Sequence, residues 1–417
     1  MIFKFLHAAD LHLDSPLLGL ATKSAHYAAR VDRASRDAFE RLIALAVEEG
    51  CSFIVLAGDI FDGDLRNFET GLFFMDQMRR LEEAGIQAFL ILGNHDAENR
   101  FAAKLSMSAN VHVFGSRRAE AIAINALQVT VHGRSFPQRD VTENIARDYP
   151  AAVAGHFNIG VLHTACQGSE SYHAPYAPCT VEQLVNHGYD YWALGHVHAR
   201  AVLSTDPHIV YPGNLQGRSP RETGPKGATV VTVSDGRVTE LTHHDLDTVR
   251  WATLSVDATG IDTRTGLFDR IRETIEQASA VAGDRALAVR LRIVGVSSQH
   301  HHLVIDPQSL RDDVGALLAT LASDIWLEKL VVATTAPAQP DALDPTVSGR
   351  LAAEIGGVGD EEIDALIEAR LAEVRAKMPA GAHVDTFFET LRSEASARAK
   401  ALALSLVGEA EGDDAAR

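Results

Sequence analysis

The sequence predicts a layered α/β domain, followed by a smaller α+β domain and a helical tail. Short β-type runs alternate with helical segments through the first 200 residues, an order that is typical of α/β layers. From residue 250 the order becomes strand, helix, strand, helix, strand. We therefore expect a first domain at 1–248, an accessory or capping domain at 249–335, a proline-containing linker at 336–340 and a tail at 341–417.

The elements of the first domain follow from apolar periodicity. Its predicted strands lie at 3–9, 53–57, 87–92, 111–114, 128–133, 159–162, 191–194 and 229–233. Its predicted helices lie at 33–49 and 70–84, and in the first of them Ala38, Leu42 and Leu45 recur at helical spacing.

The elements of the remaining chain follow from the same patterns. Strands are predicted at 251–256, 286–296 and 326–333, and helices at 266–281 and 307–322. Two more helices are predicted in the tail, at 360–377 and 384–407. Their apolar positions favour either docking of a partner protein or packing on their own domain.

Composition narrows the class of protein. The net charge of −18 argues against a protein that coats nucleic acid by bulk electrostatics, although a local basic rim remains compatible with it. Three cysteines without a CxxC spacing indicate neither a disulfide framework nor a zinc ribbon. No run of about 20 apolar residues is present, and the N-terminus lacks a signal-peptide pattern. We expect a cytoplasmic protein with no membrane association.

Five short polar motifs each follow a predicted strand of the first domain. In α/β sheets the loops at the carboxyl ends of strands form the ligand crevice, so these loops can converge on one site. They supply carboxylate, imidazole and amide groups without a thiolate, a set that suits Mn²⁺, Fe²⁺, Mg²⁺ or Zn²⁺. The motifs are Asp10-Leu11-His12, Gly58-Asp59-Ile60-Phe61-Asp62, Gly93-Asn94-His95-Asp96, Leu162-His163-Thr164 and Gly195-His196-Val197-His198.

The five motifs resemble, in order, the signature of the calcineurin-like metallophosphoesterases: D-x-H, G-D-x-x-D, G-N-H-[DE], H and G-H-x-H. Two further segments, ADLHLDSP at 9–16 and YPGNLQG at 211–217, are similar to the DNA-repair exonuclease branch with its SbcD- and YhaO-type members. The resemblance implies a four-layer metallophosphoesterase β-sandwich flanked by helices.

The resemblance also implies two divalent metal ions, with manganese favoured. The first ion would be held by Asp10, His12, Asp59 and His198. The second would be held by Asp59, Asn94, His163 and His196, so that Asp59 bridges the pair.

The implied reaction is an in-line attack on phosphorus by a metal-bound hydroxide, with both ions clamping the reacting oxygens. His95, next to a ligand but not itself one, would aid the leaving group as a catalytic residue. Asp62 would act with it by orienting the catalytic imidazole.

A basic, glycine-rich segment at 213–227 follows the last motif. Arg218, Arg221 and Lys226 could grip substrate phosphates from the edge of the site. The alternative is a solvated hairpin loop.

Three functions remain open at this point. The first is a manganese-dependent DNA exonuclease in DNA repair, with endonuclease activity undecided and with a coiled-coil ATPase of the SbcC or YhaN kind as partner. The second is a phosphodiesterase for small or cyclic nucleotides. The third is a weakly active scaffold subunit of an SMC-like ATPase complex, and a homodimer is compatible with each. Turnover of DNA compared with small phosphodiesters discriminates among the three.

Overall fold

A computed structural model gives the fold of this protein. It describes residues 1–17, 20, 25–62, 68–97, 107–167, 176–322, 324–337 and 347–357, with single positions at 365, 368, 399 and 403. The two predicted tail helices at 360–377 and 384–407 lie outside the described residues except for those single positions. Among the described residues, no helix has the length and apolar character needed to cross a bilayer.

The first of two six-stranded sheets has the order β14-β13-β1-β2-β3-β4. Strands β1 to β4 are parallel to one another, β13 pairs with β1 in antiparallel fashion, and β14 pairs with β13 in antiparallel fashion. Helix α1 connects β1 to β2, and helix α2 connects β2 to β3. The strands are β1 (Ile2–Ala8), β2 (Phe53–Ala57), β3 (Gln87–Ile91), β4 (Val111–Val113), β13 (Gly227–Ser234) and β14 (Arg237–Asp245), and the helices are α1 (Ala25–Glu48) and α2 (Phe68–Glu83).

The second sheet has the order β11-β12-β10-β7-β6-β5. Its four central strands are parallel, and an antiparallel strand closes each edge. A ribbon of two short parallel strands and helix α3 follow β7. The elements are β5 (Glu120–Ile124), β6 (Val129–Gly133), β7 (Phe157–His163), β8 (Cys166–Gln167), β9 (Cys179–Thr180), α3 (Val181–Asn186), β10 (Tyr191–Gly195), β11 (Ala201–Thr205) and β12 (His208–Tyr211).

The core between the two sheets is apolar and aromatic. Phe5 stacks on Phe53 with ring centroids 5.2 Å apart, and Tyr191 from the second sheet meets Phe5 edge-on. Alternation along β1 explains this arrangement, since successive side chains of a strand point to opposite faces. Phe5 therefore faces the opposite sheet, while Leu6 faces the cluster that includes α1 and α2.

Two outer layers cover the sheets. Phe39 of α1 and Phe74 of α2 pack against the first sheet. Leu184 of α3 packs with Trp192 against the second sheet. The layers are thus helix, sheet, sheet and helix, which confirms the expected four-layer α/β architecture.

The chain divides into two compact units whose segments interleave. Unit 1 comprises Met1–Thr253, Ala278–Arg290 and Asp324–Glu328, and unit 2 comprises Leu254–Gln277, Leu291–Ser323 and Lys329–Arg417. A three-stranded sheet has the order β15-β16-β17. The later elements are β15 (Val249–Asp257), α4 (Arg264–Ala282), β16 (Ala286–Val296), α5 (His300–Ile305), α6 (Pro307–Leu321), β17 (Ile325–Thr335) and α7 (Val347–Gly357).

Several elements were not predicted from the sequence, among them the edge strands β5, β11 and β14. Strand β14 carries mainly polar, partly exposed side chains, so it lacks the apolar run that reveals a buried strand. Strand β11 has an apolar run of only three residues, Ala201, Val202 and Leu203. Helix α3 spans six residues, too few for helical periodicity to be visible. Helix α1 starts at Ala25, eight residues before the predicted start.

Phe53→Ala is predicted to lower the free energy of unfolding of unit 1 by about 3–5 kcal/mol, because it leaves a cavity between the sheets. Phe68→Ala is the matched control, since Phe68 is 54% exposed and should cost under about 1 kcal/mol. All three tryptophans, Trp192, Trp251 and Trp326, lie in unit 1, so urea unfolding followed by tryptophan fluorescence reports on it. Equal effects of the two substitutions would contradict the assigned core.

Candidate metal centre

The five motifs lie at the carboxyl ends of adjacent parallel strands. Asp10, Asp59 and Asn94 follow β1, β2 and β3, which are neighbours in the first sheet. His163 ends β7 and His196 follows β10, which are neighbours in the second sheet. Because the sheets face each other, both sets of loops meet at one edge of the sandwich.

The backbone at this edge adopts an unusual conformation. Asp10, His12, Asp59 and His196 all have positive φ angles, of 52°, 42°, 52° and 97°. Non-glycine residues rarely occupy this region, and when they do they cluster at functional sites where the surrounding structure supports the strain. Four of the seven predicted ligands therefore have the backbone conformation that is typical of functional sites.

Two glycines are needed because side chains approach them closely. A Cβ atom on Gly93 would lie 2.2 Å from Asp59 Oδ1 and 2.7 Å from the Asp59 amide nitrogen. A Cβ atom on Gly58 would lie 2.5 Å from His163 Nδ1, and Gly58 also has a φ of +91°. The glycines in the second and third motifs thus make room for Asp59 and His163.

One group of donors brings together Asp10, His12 and His198. Their ligand atoms all lie within 4.8 Å of one another. The Nε2 atoms of His12 and His198 are 3.2 Å apart, and His12 Nε2 is 3.8 Å from Asp59 Oδ2. These are the four side chains expected to hold the first metal ion.

A second group brings together Asp10, Asp59 and His163. His163 Nε2 lies 3.4 Å from Asp59 Oδ2 and 3.0 Å from the Asn94 amide oxygen. The same Asp59 oxygen therefore faces both groups. The His196 ring lies beside that of His163, with centroids 5.2 Å apart, and its backbone N–H donates to both Asp10 carboxylate oxygens at 3.0 Å.

The separations fit divalent metal ions. With metal–ligand bonds of about 2.1 Å, adjacent donors lie about 3.0 Å apart in octahedral geometry and about 3.4 Å apart in tetrahedral geometry. The distances from His163 Nε2 to Asn94 Oδ1 and Asp59 Oδ2, 3.0 and 3.4 Å, match these values. The donors are also almost fully buried, and buried carboxylates without a compensating cation are costly.

Hydrogen bonds orient two of the imidazoles toward this centre. His163 Nδ1 lies 2.8 Å from the Ala57 carbonyl oxygen, and His198 Nδ1 lies 2.8 Å from Glu222 Oε1. Each acceptor favours a proton on Nδ1 and thereby leaves the Nε2 lone pair directed into the centre. Metal-bound histidines generally have such a partner.

Burial and mutual charge shift the carboxyl groups in different directions. Burial raises the pKa of Asp10 above its usual range. Burial alone would also raise the pKa of Asp59, but the nearby imidazoles of His163, His12 and His95 together outweigh it and lower that pKa. Burial and the nearby Asp59 raise the pKa of Asp96. Asp96 accepts backbone N–H groups of Ile60, Phe61 and Gly93, so it ties two motif loops together.

His95 and Asp62 form a pair at the rim. His95 Nδ1 lies 3.1 Å from Asp62 Oδ1, which is also 3.5 Å from His12 Nδ1. The hydrogen bond to Asp62 raises the pKa of His95. His95 is 28% exposed, so of the motif imidazoles it is the one best placed to meet a bound substrate.

The three residues predicted to bind phosphate have different surroundings. Arg218 is half-buried and donates to Asp62 Oδ1 at 3.0 Å and to Ser15 Oγ at 2.8 Å. Arg221 is exposed. Lys226 is buried and donates to the His198 carbonyl oxygen at 3.1 Å, so its ammonium supports the last motif loop and does not face solvent.

Glu222 was not identified from the sequence. It lies in the basic, glycine-rich segment at 213–227, and its carboxylate contacts the predicted ligand His198. The only available signal was an acidic side chain within an otherwise basic loop next to a histidine-rich motif.

Comparisons with known proteins show which families this chain resembles. The calcineurin-like phosphoesterase profile matches residues 3–200, and a profile for the middle domain of the metallophosphoesterase YhaO matches 251–335. The uncharacterized metallophosphoesterase YhaO of Bacillus subtilis is 35% identical over 353 residues, which cover 83% of this chain and 85% of that protein.

More distant relatives match a smaller part of this chain. The DNA double-strand break repair protein Mre11 of Methanopyrus kandleri is 26% identical over 47% of this chain and 44% of its own length. Among solved structures, a dimetal phosphatase from Danio rerio is 13% identical over 56% of this chain and 93% of its own, with a TM-score of 0.36.

Gly93→Ala is predicted to weaken Mn²⁺ binding strongly, because the added methyl group displaces the Asp59 carboxylate that faces both donor groups. Gly315→Ala is the control, since a Cβ atom there meets nothing within 4 Å. Isothermal titration calorimetry with MnCl₂ measures the difference. Unchanged affinity in Gly93→Ala would show that Asp59 does not bind metal in the position found here.

Proposed function

We propose that this chain, which belongs to the calcineurin-like metallophosphoesterase family, hydrolyses phosphodiester bonds of DNA with two divalent metal ions at its centre. The observation that carries the proposal is the single Asp59 oxygen that faces His12 on one side and His163 on the other. A carboxylate shared in this way suits a bridge between two ions. Mn²⁺ is the proposed metal because it accepts both oxygen and nitrogen donors.

Support for DNA as substrate comes from the relatives and from two segments. Several distant relatives carry the name DNA double-strand break repair protein Mre11. The segments at 9–16 and 211–217 resemble the DNA-repair exonuclease branch. We therefore propose an exonuclease in DNA repair. A coiled-coil ATPase of the SbcC or YhaN kind is proposed as partner on the resemblance alone.

The side chains divide into holding and acting groups. One ion would be held by Asp10, His12, Asp59 and His198. The other would be held by Asp59, Asn94, His163 and His196, so Asp59 is common to both sets. Such a pair of ions acidifies water and neutralises the charge that develops on a phosphodiester during hydrolysis. The protein itself contributes the fixed placement of these donors and the exclusion of bulk water from a buried centre.

His95 is the side chain that we propose acts on the substrate. Its Nδ1 is occupied by Asp62, so its Nε2 is the atom that remains to meet an oxygen of the scissile phosphate. Arg218 donates to the same Asp62 oxygen and fixes the carboxylate from the other side. We propose that His95 Nε2 donates a hydrogen bond, and then a proton, to the departing oxygen.

The proposed activity is tested with the full chain, MnCl₂ and end-labelled linear duplex and single-stranded DNA. Bis-p-nitrophenyl phosphate and cyclic nucleotides serve as small substrates in the same assay. We expect nucleotide release that requires Mn²⁺ and is abolished by EDTA. Asp59→Asn is expected to remove nearly all activity because it weakens the ligand common to both ions.

The other two functions have distinct outcomes in this assay. Rapid turnover of the small substrates without DNA cleavage would contradict DNA as the substrate and favour a small or cyclic nucleotide. An inactive protein that still binds two Mn²⁺ ions would contradict the nuclease proposal and favour the scaffold role.

His95→Ala is predicted to lower the rate of DNA hydrolysis by about 10²–10⁴-fold while leaving Mn²⁺ affinity unchanged. The reason is that the proposed ligand sets of the two ions do not include His95. His302→Ala is the control, an exposed imidazole in unit 2. Loss of Mn²⁺ binding in His95→Ala would show that this side chain is a ligand and contradict its assigned role.

A further inference from the structure

We infer that Glu222 is a positioning residue for the metal ligand His198, an inference that rests on the proposed two-metal function. Glu222 Oε1 accepts the hydrogen bond of His198 Nδ1 at 2.8 Å. On the opposite edge of that ring, Nε2 lies 3.2 Å from His12 Nε2, inside the first donor group. One contact therefore sets both the tautomer and the direction of His198.

The carboxylate of Glu222 is itself held in place. Its second oxygen, Oε2, accepts the Arg218 backbone N–H at 2.7 Å and the Asn214 side-chain amide at 2.9 Å. Its own backbone N–H donates to the Ser219 carbonyl oxygen at 3.0 Å. The loop from 214 to 222 thus folds around this one side chain and fixes it against His198.

Only a carboxylate satisfies this arrangement. Three N–H donors, from His198, Asn214 and Arg218, converge on the two oxygens of Glu222. A glutamine has one acceptor oxygen and one NH₂ group, so either orientation sets a donor against a donor. The isosteric Glu222→Gln substitution therefore disturbs His198 or the loop with hardly any change in volume.

The same loop reaches the second half of the site. Arg218, whose backbone holds Glu222, places its guanidinium on Ser15 and on Asp62. Asp62 in turn contacts His95 Nδ1 at 3.1 Å. Glu222 therefore fixes the loop that joins a metal ligand to the carboxylate that orients His95. This explains why a single acidic residue stands in an otherwise basic segment.

The test compares Glu222→Gln with Glu276→Gln, an exposed acid in unit 2. Calorimetry and the electron paramagnetic resonance signal of free Mn²⁺ measure binding to the metal-free proteins. We expect Glu222→Gln to lower the affinity for one of two Mn²⁺ ions by about 10–100-fold and to leave the affinity for the other unchanged. The Mn²⁺ concentration needed for half-maximal DNA hydrolysis should rise by the same factor, and excess Mn²⁺ should restore the rate.

The outcomes separate this inference from the proposed function. Wild-type Mn²⁺ affinity in folded Glu222→Gln would overturn the positioning role even if the wild-type protein cleaves DNA. Weakened Mn²⁺ binding would support the role even if DNA proves not to be the substrate. Glu222→Gln should stay folded in EDTA with only a small loss of stability from the disturbed loop. A variant that binds Mn²⁺ weakly because it is largely unfolded in EDTA would instead assign Glu222 a purely structural role.

A measurement on the wild-type protein keeps the inference testable if the substitution fails to fold. With ¹⁵N-labelled histidine and Mg²⁺ as a diamagnetic ion, His198 should be protonated at Nδ1 and unprotonated at Nε2. The resonance is assigned by its loss in His198→Ala. A proton found on Nε2 of His198 in the Mg²⁺-loaded protein would overturn the inference.

Discussion

The site depends on one buried carboxylate. Asp59 lies at the carboxyl end of a central strand of the first sheet and is almost fully buried. One of its oxygens faces His12 and His163, while the other accepts the His95 backbone N–H at 3.0 Å. Taking a charged group out of water is favourable only where opposite charge and hydrogen bonds compensate it. The imidazoles of the two donor groups and the backbone N–H of His95 surround the Asp59 carboxylate. Gly93 leaves the space that this carboxylate occupies.

Backbone pairing makes this placement rigid. Beyond the ends of β1 and β2 the two motif loops remain hydrogen-bonded, from Asp10 N–H to the Gly58 carbonyl and from His12 N–H to the Asp59 carbonyl, both at 3.0 Å. A bridge between Leu13 and Phe61 continues the parallel pairing. The positive φ angles of Asp10, His12 and Asp59 are thus supported from both sides. The main chain therefore sets the distances between these side chains, and their rotamers change those distances only slightly.

Much of this could be predicted from the sequence, for a clear physical reason. Buried parallel strands such as β2 are continuous apolar runs, and the polar residues that follow them must meet at one sheet edge. Edge strands such as β14 were missed because their side chains are polar on both faces. Glu222 was missed, and the contact of Lys226 was not predicted, for a different reason: their partners on His198 lie 24 and 28 residues away, and no local pattern records such contacts.

The strongly acidic composition and the proposed polyanionic substrate are compatible because electrostatics acts over short distances here. At physiological ionic strength the charge on exposed groups is screened within about 8 Å. The acidic surface therefore contributes little at the centre, where we propose that a phosphate meets metal ions, the exposed Arg221 and the half-buried Arg218. Of these, Arg218 is held by Ser15 and Asp62 before any substrate arrives. A rim arginine fixed in this way loses less conformational freedom on binding than a free one, so a few oriented cations can outweigh a large but distant negative charge.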